Sequence, residues 1–255
     1  MSAKQPNRGR PPRVPVALQL WSVREDVKRD FAATAAAVAE IGYEGVELAG
    51  YGNLDAKGAK AALDAAGLRV AGMHVGYPSL AGNPGPVVED ALLLGCSNVV
   101  CAWWPPAQFV SAGACERIGE QLGAVGSILR GFGIRFGYHN HGHELRMIDG
   151  RPALDWLLGA AQPRDLFAEV DVYWVNHAGY SPAKLIRDHG ARVPLVHLKD
   201  AKELGAGPVD FGQVFAAADS VGAVEWYIVE QEEYSHAPIV SVRKCFEQMK
   251  SWGRA

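Results

Sequence analysis

The side chains best suited to binding a cation or moving a proton recur at one place in this sequence, the end of a short apolar run. Gln19 and Trp21 close VALQLW, Glu47 closes EGVELA and His74 closes LRVAGMHV, while Trp103, followed by Trp104, closes SNVVCAW. His139 and His141 close IRFGYHNH, with Glu144 three residues further on, and Asp171 closes LFAEVDV. His197 and Lys199, followed by Asp200, close VPLVHLK, and Glu230 closes EWYIVE. The last four runs in a row therefore end in Asp, Glu or His. Carboxylates that converge in a pocket of low dielectric repel one another unless a cation or a proton offsets them, and a divalent ion is the simplest offset. Mixed Asp, Glu and His donors suit Mn²⁺, Zn²⁺, Co²⁺ or Mg²⁺ better than a thiolate-seeking metal.

Each of these residues has an ordinary alternative use. Asp171 could cap a helix, His197 could be a satisfied core histidine, and Glu230 lies beside Glu232 and Glu233 in a stretch that solvent could claim. Their alignment on successive runs is what favours a site. His139 and His141 alternate, so in a strand they share one side with Asn140 opposite, an arrangement fit for metal binding or proton transfer. Trp21, Trp103 and Trp104 would supply indole faces for the C–H side of a sugar ring, or would fill the core.

The elements that must position these groups alternate strictly. The apolar runs cover 16–21, 44–49, 68–75, 97–103, 134–141, 166–172, 193–199 and 225–230, each compact enough for a strand buried on both faces. Between them lie helical segments with glycine stops: FAATAAAVAEIG ends at Gly42, AKGAKAALDAAG at Gly67 and ACERIGEQLGAVGSILRGFG near Gly133. SPAKLIRDHG opens with Ser181 as N-cap and Pro182 at the first helical position, and a last helix is expected from about Pro238 to Trp252. Eight strand–helix units in 255 residues predict a single (β/α)₈ barrel over 16–255, with the chemistry at the C-terminal ends of its strands. No G-x-G-x-x-G follows the first strand, which removes the dinucleotide-binding reading.

Residues 1–15, MSAKQPNRGRPPRVP, are polar, basic and proline-rich, and read as a disordered arm without the apolar core of a signal peptide. A net charge of −3 offers no field for nucleic acid or an anionic membrane, and no stretch is long and apolar enough to span a bilayer. Cys96, Cys101, Cys115 and Cys245 form no C-x-x-C pair, so reduced buried thiols and a cytoplasmic location are expected.

With these residues in view, the chain resembles the sugar phosphate isomerase/epimerase-like, or xylose isomerase-like, barrel superfamily, near its inosose dehydratase-like members. The resemblance runs from about Val16 to the C-terminus and rests on LQLWSVRED, GYEGVELAG, YHNHGHEL, EVDVYWVNHAG, VHLKD and WYIVEQE, in that order. It implies one divalent metal ion, Mn²⁺ as first choice, held by ligands from strands five to eight. Asp171, His197 and Glu230 match three of those positions. The sugar epimerases carry a glutamate on strand five, where this chain reads YHNH; Glu144 is the nearest carboxylate and is taken as the ligand, with His139 or His141 as replacements. That departure, and Ala206 where an acidic residue is usual after strand seven, favours eliminating relatives over strict epimerases.

The implied chemistry is isomerisation or epimerisation of a keto-sugar or polyol-derived substrate through a metal-stabilised enolate, with dehydration as the alternative exit. Glu230 and His141 are the candidate bases and Lys199 the group that stabilises a developing oxyanion. Trp21, Glu47, His74, Trp103 and His139 are expected to contact the substrate. A phosphodiester hydrolase on the same barrel would need about three clustered metals and a basic groove, which eight histidines and a net negative charge disfavour. The expected partners are a small sugar or cyclitol, with a homodimer left open, and neither nucleic acid nor membrane.

Overall fold

The computed structural model describes residues 13–255. Eight parallel strands close into one barrel: β1 Val16–Gln19, β2 Gly45–Leu48, β3 Arg69–Val75, β4 Asn98–Cys101, β5 Arg135–His139, β6 Phe167–Asp171, β7 Leu195–Leu198 and β8 Trp226–Val229. Each pairs with its sequence neighbours, and β1 closes the ring against β8. Helices Phe31–Ile41, Ala56–Ala66, Gly85–Leu94, Ala112–Arg130, Ala153–Gly159, Pro182–His189, Phe211–Val221 and Pro238–Ser251 form the outer ring. The expected (β/α)₈ barrel is therefore the observed fold. A two-stranded ribbon, Met147–Ile148 with Arg151–Pro152, is added after β5.

Local chemistry sets the helix ends. Ser181 accepts a hydrogen bond from the Lys184 amide at 3.2 Å, and Asp30, Asp55, Ser111 and Asp210 cap four other helices in the same way. Gly42, Gly67, Gly95 and Gly222 stop their helices in the left-handed conformation. Of the arm expected over 1–15, residues 1–12 lie outside the described residues. Arg13 pairs with Glu44 at 2.8 Å, and the Pro15 carbonyl accepts from the Tyr227 amide, so the chain is tied to the barrel before β1 begins.

The large core lies between strands and helices, where the outward residues of each strand pack; Leu18, Leu48, Phe136, Tyr138, Val170 and Tyr227 are all buried in it. The barrel interior is separate. Its lower part is an apolar plug of Ala17, Ala71, Val100, Phe167, Leu195, Trp226 and Ile228. A Cβ on Gly137 of β5 would sit 2.2 Å from the Phe167 ring, so only glycine lets that ring cross the barrel. Above the plug the inward positions become polar, and the site begins there.

Candidate metal centre at the barrel mouth

Strand register brings the polar residues together in two storeys. Gln19 lies beside Glu47 across β1 and β2, His139 beside Glu169 across β5 and β6, and Asp171 beside His197 across β6 and β7. Side chains alternate along a strand, so Glu169 and Asp171 of β6 both point inward, one storey apart. The pairing of β2 with β3 shifts register at Val46/Glu47, which sets Gly72 opposite Glu47. A Cβ there would come within 2.5 Å of a Glu47 carboxylate oxygen, so glycine makes the room for that side chain.

The lower storey is a hydrogen-bond network built on one oxygen of each acid, Glu47 Oε2 and Glu169 Oε2; the second oxygen of each, Oε1, is buried without a partner. Glu47 Oε2 accepts from Gln19 Nε2 at 2.7 Å and lies 2.6 Å from His197 Nε2 and 3.1 Å from His74 Nε2. Glu169 Oε2 faces three imidazoles at once: His74 Nε2 at 2.7 Å, His139 Nδ1 at 3.0 Å and His197 Nε2 at 3.3 Å. Burial alone would push the Glu47 carboxyl up, but His74 and His197 outweigh it and hold it well below the usual carboxylate range. For Glu169, burial and Glu47 push upward, while His197, His74 and the His139 hydrogen bond bring it down to about 2. Burial disfavours a charged His74, yet Glu47 and Glu169 raise it to about 10. His197 is likewise lifted against burial by the two carboxylates, whereas burial and the charge of His197 push His139 down.

The upper storey opens to the mouth. His139 Nε2 lies 4.0 Å from Asp171 Oδ2, and His197 Nδ1 lies 3.5 Å from Glu230 Oε2. One ligand atom from each of His139, Asp171, His197 and Glu230 falls within 4.8 Å of all the others. Asp171 divides its carboxylate between two tasks: Oδ1 accepts from the Trp174 amide at 2.9 Å and starts the helix Val172–His177, leaving Oδ2 buried without a partner. His197 Nδ1 is also buried without a hydrogen bond. Burial and Glu230 raise the Asp171 carboxyl, against Lys199, to about 7. Glu230 itself is held low by His197 and Lys199 despite its burial. Lys199 Nζ lies 3.4 Å from Glu230 and 3.1 Å from Glu232, over the Trp174 ring, and these carboxylates keep its charge although burial opposes it.

Two groupings of His, Asp and Glu can be drawn among the described residues, and their chemistry separates them. In the lower one, His74, His139, Glu169 and His197, the point the nitrogens face is filled by Glu169 Oε2 itself. In the upper one, two donors are orphaned and no hydrogen bond joins the four atoms, which fits a divalent ion with nitrogen and oxygen ligands.

Glu144 is not part of that group. It lies in a 3₁₀ turn, His143–Leu145, past the end of β5, where Oε1 accepts from Tyr138 Oη at 2.6 Å and Oε2 from the His141 amide at 2.9 Å. Its buried carboxylate folds the loop, and the residue that β5 brings to the converging group is His139. Asp200 does similar work after β7, accepting from the amides of Ala201, Gly205 and Gly207. Glu169 went unnoticed in the sequence, although its spacing of two from Asp171 is the strand period that would have found it.

Above the four converging side chains lies a cavity of about 430 Å³ lined by Trp21, His74, Trp103, His139, His141, Glu230 and Glu232 among others, within the range of small-ligand pockets. Trp21 and Trp103 are 44% and 50% exposed, so their faces stand free at the rim. Trp104 is buried against Tyr77, with its Nε1 bonded to Gln108, and belongs to the core. His141 leaves the strand but reaches the same cavity, its ring 5.1 Å from that of His139 and its Nδ1 unpartnered; burial lowers it to about 4. Glu47 is wholly buried beneath the mouth and does not line the cavity.

Solved structures share this architecture. A sugar phosphate isomerase/epimerase from Parabacteroides distasonis superposes with a TM-score of 0.83 at 22% identity, covering 98% of this chain and 96% of the other. A D-allulose 3-epimerase from Methylomonas sp. gives 0.70 at 18% identity over 94% and 98%. A probable 3-DHS dehydratase from Bacillus anthracis gives 0.72 at 12% identity over 92% and 98%. No curated protein matches the sequence. At these identities the likeness is one of fold, but the family model for the xylose isomerase-like TIM barrel matches residues 35–252, nearly the whole barrel, and the chain belongs to that family.

Proposed function

We propose that this protein is a divalent-metal-dependent isomerase or epimerase of a keto-sugar or polyol-derived substrate, working in the cytoplasm through enolate chemistry. The observation that carries the reading is the set of four converging donors, two of them orphaned, beneath an indole-walled cavity. His139, Asp171, His197 and Glu230 would hold the ion, with Mn²⁺ the first choice and Co²⁺, Zn²⁺ or Mg²⁺ as alternatives. When bound, a divalent ion supplies a Lewis acid that acidifies the C–H beside a carbonyl.

The remaining work falls to the chain. Trp21 and Trp103 pack the C–H faces of a sugar ring and orient it over the mouth. Glu230, at the end of β8, takes the α proton. His141, with a free ring nitrogen on the strand-five side, returns a proton at the neighbouring or the opposite position. Lys199 lies beside Glu230 and stabilises charge that develops on the substrate oxygen. A small sugar or cyclitol is the substrate, and every group named comes from one copy of the chain.

A second reading is favoured by one observation: β5 closes on His139 and places no carboxylate among the metal donors. A mouth with one carboxylate base and an imidazole acid suits elimination, in which Glu230 removes the α proton and His141 protonates the departing hydroxyl. Turnover of a keto-sugar and keto-cyclitol panel in deuterated water, with elemental analysis of the protein, tests both readings. About one equivalent of metal and deuterium at the α carbon are expected. Loss of water from the product selects elimination, and turnover without α exchange rules out the enolate route.

A further inference from the structure

Imidazole is asymmetric, and a histidine can offer either nitrogen to an ion. Which one it offers is fixed by what binds the other. The two imidazoles of the mouth stand in opposite senses. His197 turns Nε2 down to Glu47 at 2.6 Å and Nδ1 up toward Glu230 at 3.5 Å. His139 turns Nδ1 down to Glu169 at 3.0 Å and Nε2 up toward Asp171 at 4.0 Å. Both carboxylates are fully buried, and each already has a further partner: Gln19 donates to Glu47, and His74 to Glu169. Gln19 is fixed in turn by the Trp21 amide, which donates to its Oε1 at 3.0 Å. His74 Nε2 also lies 3.1 Å from Glu47, so one imidazole ties the two carboxylates together. The Oε2 atom of each acid, the one that meets the ring above, is thus held by a further donor.

We propose that Glu47 and Glu169 are positioning residues that hold His197 and His139 in opposite ring orientations, so that His197 presents Nδ1 and His139 presents Nε2 to the same point at the mouth. The inference rests on the metal reading for its purpose but not for its geometry. Burying two carboxylates in a barrel interior carries a heavy penalty in lost hydration even after relaxation. A floor that served stability alone would be served as well by the apolar residues that form the plug below it. Retaining the acids is explained by what they do to the rings: they accept the lower N–H, choose the upper nitrogen, and make that nitrogen a stronger donor.

The test uses full-length protein carrying ¹⁵N-labelled histidine, metal-free and zinc-loaded, with Glu47→Gln, Glu169→Gln and, as a matched buried carboxylate, Glu144→Gln. In the metal-free wild type three slowly exchanging, downfield imidazole N–H signals are expected, Nε2–H of His197, Nδ1–H of His139 and Nε2–H of His74, which ties the two carboxylates together. Glu47→Gln should shift the His197 signal and leave that of His139, Glu169→Gln should shift the His139 signal and, through its 3.3 Å approach, the His197 signal by less, and Glu144→Gln should shift neither. With zinc bound, the two rings should show opposite tautomers, and each of the first two variants should bind metal roughly ten- to a hundredfold more weakly. The same tautomer at both rings, or unchanged N–H signals and metal affinity in Glu47→Gln and Glu169→Gln, would overturn the proposal. A wild type that keeps the His197 and His139 signals but binds no divalent metal would overturn the metal reading and leave the opposed orientation of the rings standing.

Discussion

The two halves of the barrel interior are built on opposite principles. Below, Ala17, Ala71, Val100, Phe167, Leu195, Trp226 and Ile228 fill the space with carbon. The bottom is closed by cations on rings, Arg69 over Trp226 at 4.4 Å and Arg135 near Phe167 at 5.9 Å, and Arg135 is held in turn by Glu225. Above, the same strands carry Gln19, Glu47, His74, His139, Glu169, Asp171, His197 and Glu230, and nearly every polar atom has a named neighbour or is conspicuously without one. The plug is specified by volume, because dispersion and hydrophobic burial have no direction. The mouth is specified atom by atom, because a buried charge without its partner costs far more than a missing methylene. One half makes the barrel stable, and the other uses that stability to hold groups that would otherwise repel.

This division predicts that mutations in the two halves fail in different currencies. The largest effect is expected at Glu230→Gln, which removes a ligand charge and a candidate base together: turnover and α-deuterium exchange should both fall by about 10³- to 10⁴-fold, near the upper range for a lost acid–base group. Melting temperature of the metal-free protein, measured by calorimetry, should fall less than in a plug variant, because Lys199 loses Glu230 but keeps Glu232 as a partner. Phe167→Ala, in the plug, should do the reverse. It empties a 6%-exposed aromatic site and should cost about 3–5 kcal/mol of stability in denaturant titration. Turnover per folded molecule should stay within a few-fold. If Phe167→Ala abolished turnover in protein that remained folded, the separation of the two halves would be wrong.

A smaller effect is expected at His141→Ala. This ring lies in the cavity but outside the four donors, so turnover should drop roughly ten- to a hundredfold with metal content unchanged. Near-normal turnover would make His141 a loop residue. Equal loss of metal and turnover would move it into the ligand set.

How much of this was legible in the sequence differs between the halves too. The eight strands were readable because each is a short apolar run between helix stops, though every observed strand except β3 ends one or two residues short of its run. That trimming matters at β5: counted along an extended strand, Glu144 looks like the next inward acid, but the strand ends at His139 and the chain turns, so Glu144 is used to fold the turn. Asp171, His197 and Glu230 stand directly at strand ends, where inward direction follows from the pleat, and they meet as expected. Glu169 was overlooked because a buried acid in mid-strand is improbable by composition, although its period placed it on the inner face. The opposed orientation of the two imidazoles was not readable at all. It depends on which nitrogen lies over which carboxylate, and that comes only from the closed barrel.

The mildest expected effect is also the one that reads the mouth directly, through protons. In the metal-free protein His197 is held protonated by Glu169 and Glu47, whose pull exceeds the penalty of burial. Asp171 is lifted by burial and by Glu230 to about 7, so near neutrality it too carries part of a proton. His139 is pushed down by burial and carries none to give. An ion that takes His197 Nδ1 and Asp171 Oδ2 must displace what is bound there, so loading releases protons and becomes weaker as pH falls. At pH 7 the release should be about one to one and a half protons per ion, and apparent affinity should drop roughly tenfold or somewhat more for each unit below that. Above neutrality Asp171 is already ionised, and the slope should fall to that of His197 alone. Calorimetric titration of Zn²⁺ in two buffers of different ionisation enthalpy measures the proton count directly. Plug variants such as Phe167→Ala should leave that count untouched, because no group of the lower half titrates with the ion. A release of zero at pH 7, with metal bound, would mean that His197 Nδ1 and Asp171 Oδ2 both meet the ion already free of protons, against the pull of Glu47 and Glu169 on His197 and of burial on Asp171.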